Sequence, residues 1–88
     1  MIEPDMVQSR LKIVIAEYNL KRAREGLPPV THRDISRDTG LSTATISGLT
    51  TGAAEMIHFR TIGRLCAYLK CSPCDLFLYT PDDQIAGE

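Results

Sequence analysis

Between Thr31 and Gly52 the chain carries two short segments, each opened by a hydroxyl residue and closed by a glycine, with almost nothing between them. Thr31 is placed to cap a helix over His32 to Thr39, with Asp34 three residues on and Ile35 facing inward. Gly40 then supplies the left-handed residue that ends it. Ser42 opens a further helix, Thr43 to Thr50, with Ile46 and Leu49 on one side and Gly52 beyond its end. Two helices this short, joined by so tight a turn, must cross, and the second then projects one face outward.

The remaining helices follow from apolar spacing. Asp5 and Gln8 read as a capping box, and Val7, Leu11, Val14 and Tyr18 recur at helical intervals, so a first helix is predicted from about Met6 to Leu20 or beyond. The stretch Lys21 to Val30 must break at Gly26, Pro28 and Pro29. Ile62, Leu65, Cys66 and Leu69 predict a helix from about Arg60 to Leu69. Ser72, Pro73 and Asp75 open another, which should carry Leu76, Phe77, Leu78 and Tyr79. An all-α, compact five-helix domain over residues 1–80 is therefore expected, with 81–88 a disordered acidic tail. Eighty-eight residues leave no room for a second domain.

Charge separates along the chain. The net charge is −1, yet from Met6 to Lys70 ten Lys and Arg stand against five acids, and the other six acids lie in the two ends. A basic middle with acidic ends is compatible with a phosphate-facing surface, although it is equally what a soluble surface looks like. No apolar run approaches the ~20 residues of a membrane span, and Met1 to Arg10 lacks the layout of a signal peptide, so a cytoplasmic protein without membrane contact is expected.

At 100° per residue, with Ile46 and Leu49 inward, Ala44, Ser47, Gly48 and Thr51 point the other way and Thr43 and Thr45 flank them. A DNA major groove can receive such a helix. The face is small. Thr and Ser can donate to base edges and Ala or Thr methyls can touch thymine, but no Arg, Asn or Gln is present to make a bidentate base contact. Gly48 costs about 1 kcal/mol relative to Ala inside a helix, so it either permits close approach to DNA or is tolerated.

The run from Thr31 to Gly52, with its Thr-Gly-Leu-Ser turn at 39–42, Ile46-Ser47 and closing Gly52, resembles the helix-turn-helix of the Cro and phage-repressor (XRE-like) family. The likeness continues through Phe59, Leu65-Cys66, Leu69 and Cys71 to Leu76. It implies a lambda-repressor-like fold, double-stranded DNA as partner and a regulatory role in transcription, without enzymatic activity or a cofactor. It also implies base contacts from the positions of Thr43, Ala44 and Gly48 and phosphate contacts near His32, Ser42 and Thr51; Thr45 and Ser47 from the outward face, and Arg33, complete the candidate DNA-binding residues. Where the family usually pairs a Glu with an Arg, this chain has Thr50 and Ile15. Both charges are absent together, so neither is left buried alone.

Other residues of the chain carry rival readings. Cys66, Cys71 and Cys74 have the spacing of metal ligands, with His58 a conceivable fourth, but Cys66 falls on the apolar stripe of its helix and the packing reading is stronger. Cys71 to Cys74 also echoes a redox motif, without the strand-helix-strand setting that such a motif needs. His32 and His58 lie near no nucleophile or paired carboxylates. Lys21, Arg22 and Arg24 are either a solvated face or a backbone contact. The main functional alternative is a protein-interaction module, an antitoxin or adaptor on the same fold with weak DNA contact. A homodimer is expected through Leu76 to Tyr79, because one short helix cannot bury four large residues against its own core.

Overall fold

The computed structural model describes residues 6–80. In chain order the elements are β1 (Met6–Ser9), α1 (Leu11–Arg24), α2 (His32–Thr39), α3 (Thr43–Thr51), α4 (Phe59–Leu69), α5 (Pro73–Leu76) and β2 (Phe77–Thr80). The five helices follow the lambda-repressor-like arrangement that the sequence implies, and a two-stranded sheet is added to it.

Local chemistry sets the ends of α2 and α3. The Thr31 hydroxyl accepts from the Asp34 N–H at 3.2 Å while the Asp34 carboxylate accepts from the Thr31 N–H at 2.9 Å, so two donors of the first turn are satisfied reciprocally. Gly40 and Gly52 close the two helices in the left-handed conformation, with φ of 78° and 81°. The turn between them is held by side chains. Ser36 Oγ donates to the Leu41 carbonyl, and the Thr39 hydroxyl donates to the Ile35 carbonyl and accepts from the Leu41 N–H.

Leu11, Val14 and Ile15 of α1, Ile35 of α2, Ile46 and Leu49 of α3, Leu65 and Leu69 of α4 and Leu76 of α5 form one buried cluster with Val30 and Leu41. Ile15 sits in that cluster and Thr50 turns its hydroxyl back to the Ser47 carbonyl. Neither position therefore leaves a buried polar group without a partner. Tyr18 and Tyr68 pack against the cluster with ring centroids 6.0 Å apart, and the Tyr68 hydroxyl donates to Asp38 to tie α4 to α2.

Two expectations are corrected here. The first helix begins at Leu11, because Met6–Ser9 is β1 and pairs antiparallel with β2, Val7 opposite Tyr79 and Ser9 opposite Phe77. A pairing partner some seventy residues away overrides the local helical pattern, and Val7 ends up exposed outside the core. Gln8 therefore opens no helix, and Asp5 lies outside the described residues. At the other end α5 stops at Leu76 and the chain straightens into β2. Phe77, Leu78 and Tyr79 thus belong to a strand and not to the predicted C-terminal helix, with Leu78 and Tyr79 exposed. The acidic tail, 81–88, lies outside the described residues.

The long connection between α1 and α2 is pinned at one point. Asn19 Nδ2 donates to the Val30 carbonyl at 3.1 Å and Asn19 Oδ1 accepts from the Val30 N–H at 2.8 Å. Buried Val30 is thereby drawn into the core while its backbone stays satisfied. Asn19→Ala is expected to cost about 2 kcal/mol, since it strands a partly buried donor and acceptor together. Urea unfolding checks this, and an unchanged midpoint would remove Asn19 from the role.

Candidate nucleic-acid interface

The outward surface of α3 is set by what it buries. Ile46 is fully buried and Leu49 nearly so, and Thr43, Ala44, Thr45, Ser47 and Thr51 are left exposed. Gly48 is half-buried. The helix-turn-helix places Ser42 at the start of α3 and His32 and Arg33, both exposed, at the start of α2. All nine candidate DNA-binding residues therefore stand on α3 or on the two helix starts beside it.

Their hydroxyls are not equivalent. Ser42 Oγ accepts from the Thr45 N–H at 3.0 Å and lies 2.8 Å from Thr45 Oγ1, while Thr51 Oγ1 donates to the Ser47 carbonyl at 2.9 Å. Those groups are occupied in holding the helix. No hydrogen bond to another described residue engages the hydroxyls of Thr43 and Ser47, so they are free to donate to a base edge.

Gly48 meets the loop that follows. Its carbonyl accepts from the Ala54 N–H at 3.0 Å, and a Cβ built on it would meet Ala54 Cβ at 3.6 Å, an ordinary contact. Packing alone therefore does not require glycine here. Ala44, Thr45, Gly48, Ala53, Ala54 and Met56 rim a cleft of about 440 Å³ whose floor reaches Leu49 and Thr61. It is an apolar concavity at the edge of the outward face. His58 lines both this cleft and a neighbouring one of about 540 Å³ that includes Phe59, Arg60 and Arg64.

Charge around the face is only partly available. Arg37 is committed to Asp34 at 3.2 Å and Asp38 at 3.1 Å, and hydrogen bonding to Arg37 and then to Tyr68 holds the Asp38 carboxyl below its usual range. Arg22 bonds the Pro28 carbonyl at 2.7 Å and stacks over Tyr18. Arg33, Arg60 and Arg64 remain exposed. Arg60 and Arg64 are four apart on the polar side of α4, and the Arg64 guanidinium comes within 3.5 Å of a Cβ built on Gly40. Local sequence spacing carries no sign that Arg64 lies beside this turn.

The cysteines separate by environment. Cys66 and Cys71 are half-buried and pack against the core, whereas Cys74 is exposed. Among the described residues no three His, Cys, Asp or Glu side chains come together as a metal site. Burial, and then the adjacent Cys66, push the Cys71 thiol up to about 11, so near neutral pH it stays protonated and unreactive.

The chain matches the family model described as the Cro/C1-type HTH DNA-binding domain over residues 29–82. No curated protein and no solved structure gives a match to it.

Two outcomes are expected from this geometry. Gly48→Ala should raise stability by about 1 kcal/mol in urea unfolding, because the added methyl fits beside Ala54 and gains helix propensity; a destabilised variant would contradict the contact geometry. A thiol reagent should label Cys74 well before Cys71 at neutral pH, with Cys71 gaining reactivity only as pH rises towards its raised value. Equal labelling rates would contradict the difference in burial.

With the family match spanning more than half of its length, the chain belongs to the Cro/C1-type helix-turn-helix DNA-binding family.

Proposed function

We propose that the protein binds duplex DNA as a transcriptional regulator, with α3 lying in the major groove. The observation that carries this is the exposed surface of α3, anchored from behind by Ile46 and Leu49, with exposed Arg33 at the start of α2 and Arg64 beside the Gly40 turn. In this reading Thr43 and Ser47 donate to base edges, while Ala44, Gly48 and the Thr45 methyl lie against thymine methyl groups. His32 and Arg33 meet phosphates, and Ser42 and Thr51, whose hydroxyls hold the helix, lie near them. Without bidentate base contacts, phosphate attraction supplies most of the affinity and discrimination between sequences is modest. One domain of this size reaches few base pairs, so two copies act together.

A second reading draws on Met56 and Phe59, which are 87% and 91% exposed beside α3. Large apolar side chains so open to water also suit a protein partner, and an antitoxin or adaptor would use the same surface. Gel shifts on short duplexes across a salt series separate the two. A DNA binder loses affinity with a log-log slope of about −0.9 for each phosphate contact, and Arg33→Ala should reduce that slope by about 1. Ala44→Glu should abolish binding and leave the domain folded, because the new carboxylate faces the groove instead of the core. A flat salt response favours the interaction module, and full binding by the Ala44→Glu variant removes α3 from the groove.

A further inference from the structure

A surface helix needs one apolar face, and α1 has two. Leu11, Val14 and Ile15 enter the core with Tyr18 packed beside them. On the opposite side Ile13 and Leu20, 48% and 54% exposed, line up with exposed Ala16 and Ala23. The intervals are three, four and three, which is the spacing of a coiled-coil seam over two heptads, and exposed Leu27 lies one further step along the chain. Ala16 forms the low point between its larger neighbours, and Lys12, Ile13, Ala16, Glu17 and Leu20 line a shallow groove of about 500 Å³.

The charges beside this seam identify what covers it. At 100° per residue Lys12 and Glu17 flank the stripe on opposite sides, five positions apart, with Lys12 first. When two such helices pack side by side and parallel, each Lys12 faces the Glu17 of the other, and the two-fold axis makes the attraction twice. An antiparallel pair instead brings the two Glu17 carboxylates together near the axis, where like charges repel. A seam whose flanking charges complement themselves is suited to an identical seam.

We infer that the outer face of α1 is an isologous interface for a second copy of this chain, packed parallel through Ile13, Ala16, Leu20 and Ala23 with reciprocal Lys12–Glu17 pairs. Because α1 meets α3 through its other side, this contact leaves the outward residues of α3 uncovered. The inference places the second copy that the DNA-binding reading calls for. It is tested without DNA, so that its failure leaves that reading standing.

Analytical ultracentrifugation of the 88-residue chain over a concentration series should show a reversible monomer–dimer equilibrium. Leu20→Glu should leave the protein monomeric with an unchanged circular dichroism spectrum. Lys12→Glu and Glu17→Lys, both at exposed positions, should each weaken self-association by roughly tenfold at low salt, as two attractive pairs become repulsive. Mixed in equal amounts these two variants should form a heterodimer, since every 12–17 pair across the interface is then opposite in sign. A monomeric parent, a dimer indifferent to Leu20→Glu, or a mixture showing no preference for the heterodimer would each overturn the inference.

Discussion

Burial of Ile46 and Leu49 is the constraint from which the rest of the molecule follows. A nine-residue helix with two large apolar side chains has only one orientation that removes both from water, worth about 3 to 5 kcal/mol in transfer free energy. That orientation decides which residues of α3 face outward. It also requires the turn at Gly40 to be rigid, since a helix this short has little stability of its own. The hydroxyls of Ser36 and Thr39, bonded across the turn, supply the rigidity in place of further apolar contact. The small outward face is thus presented by a part of the fold that has very little freedom to reorient.

Legibility in the sequence tracked the distance over which each feature is decided. Helices α2, α3 and α4 were placed to within a residue or so, because hydroxyl caps, glycine stops and 3.6-residue spacing all act within a turn or two. The outward face of α3 was legible for the same reason. Strands β1 and β2 were not, because Met6–Ser9 is extended only where Phe77–Thr80 lies beside it. Val7 followed the helical period by coincidence. Four large residues in succession, Leu76 to Tyr79, fit both periods, and the pairing with β1 selects the extended one from Phe77 on. Arg60 and Arg64 were invisible as partners of the turn because crossing angles between helices are not written in local spacing.

The charge count of the middle segment overstates what a phosphate backbone would meet. Arg37 is held between two carboxylates of its own helix, and Arg22 lies over Tyr18 against a backbone carbonyl. Both serve the fold. Arg33 at the start of α2 and Arg60 and Arg64 on α4 stay exposed, and of these Arg64 comes beside the Gly40 turn through tertiary placement and not through a basic run. The hydroxyls divide similarly, since those of Ser42, Thr45 and Thr51 stabilise α3 while those of Thr43 and Ser47 are open. A composition that looks uniformly polar therefore resolves into two working sets, one internal and one outward.

The same division of labour governs α1. A helix that covered a core on one side and met water on the other would carry polar residues at positions 13, 16, 20 and 23, and the chain places Ile, Ala, Leu and Ala there. Leaving Ile13 and Leu20 half open to solvent weakens solubility and adds nothing to the monomer, whose core is already closed by Leu11, Val14 and Ile15. Among the described residues the end strands do not relieve this exposure, since β1 and β2 pair with each other while Ile13 and Leu20 stay about half exposed. Covering the stripe recovers apolar burial that the single domain forgoes. Because the stripe and α3 lie on opposite sides of α1's contact with the core, covering one does not close the other, and self-association and DNA contact can be selected independently.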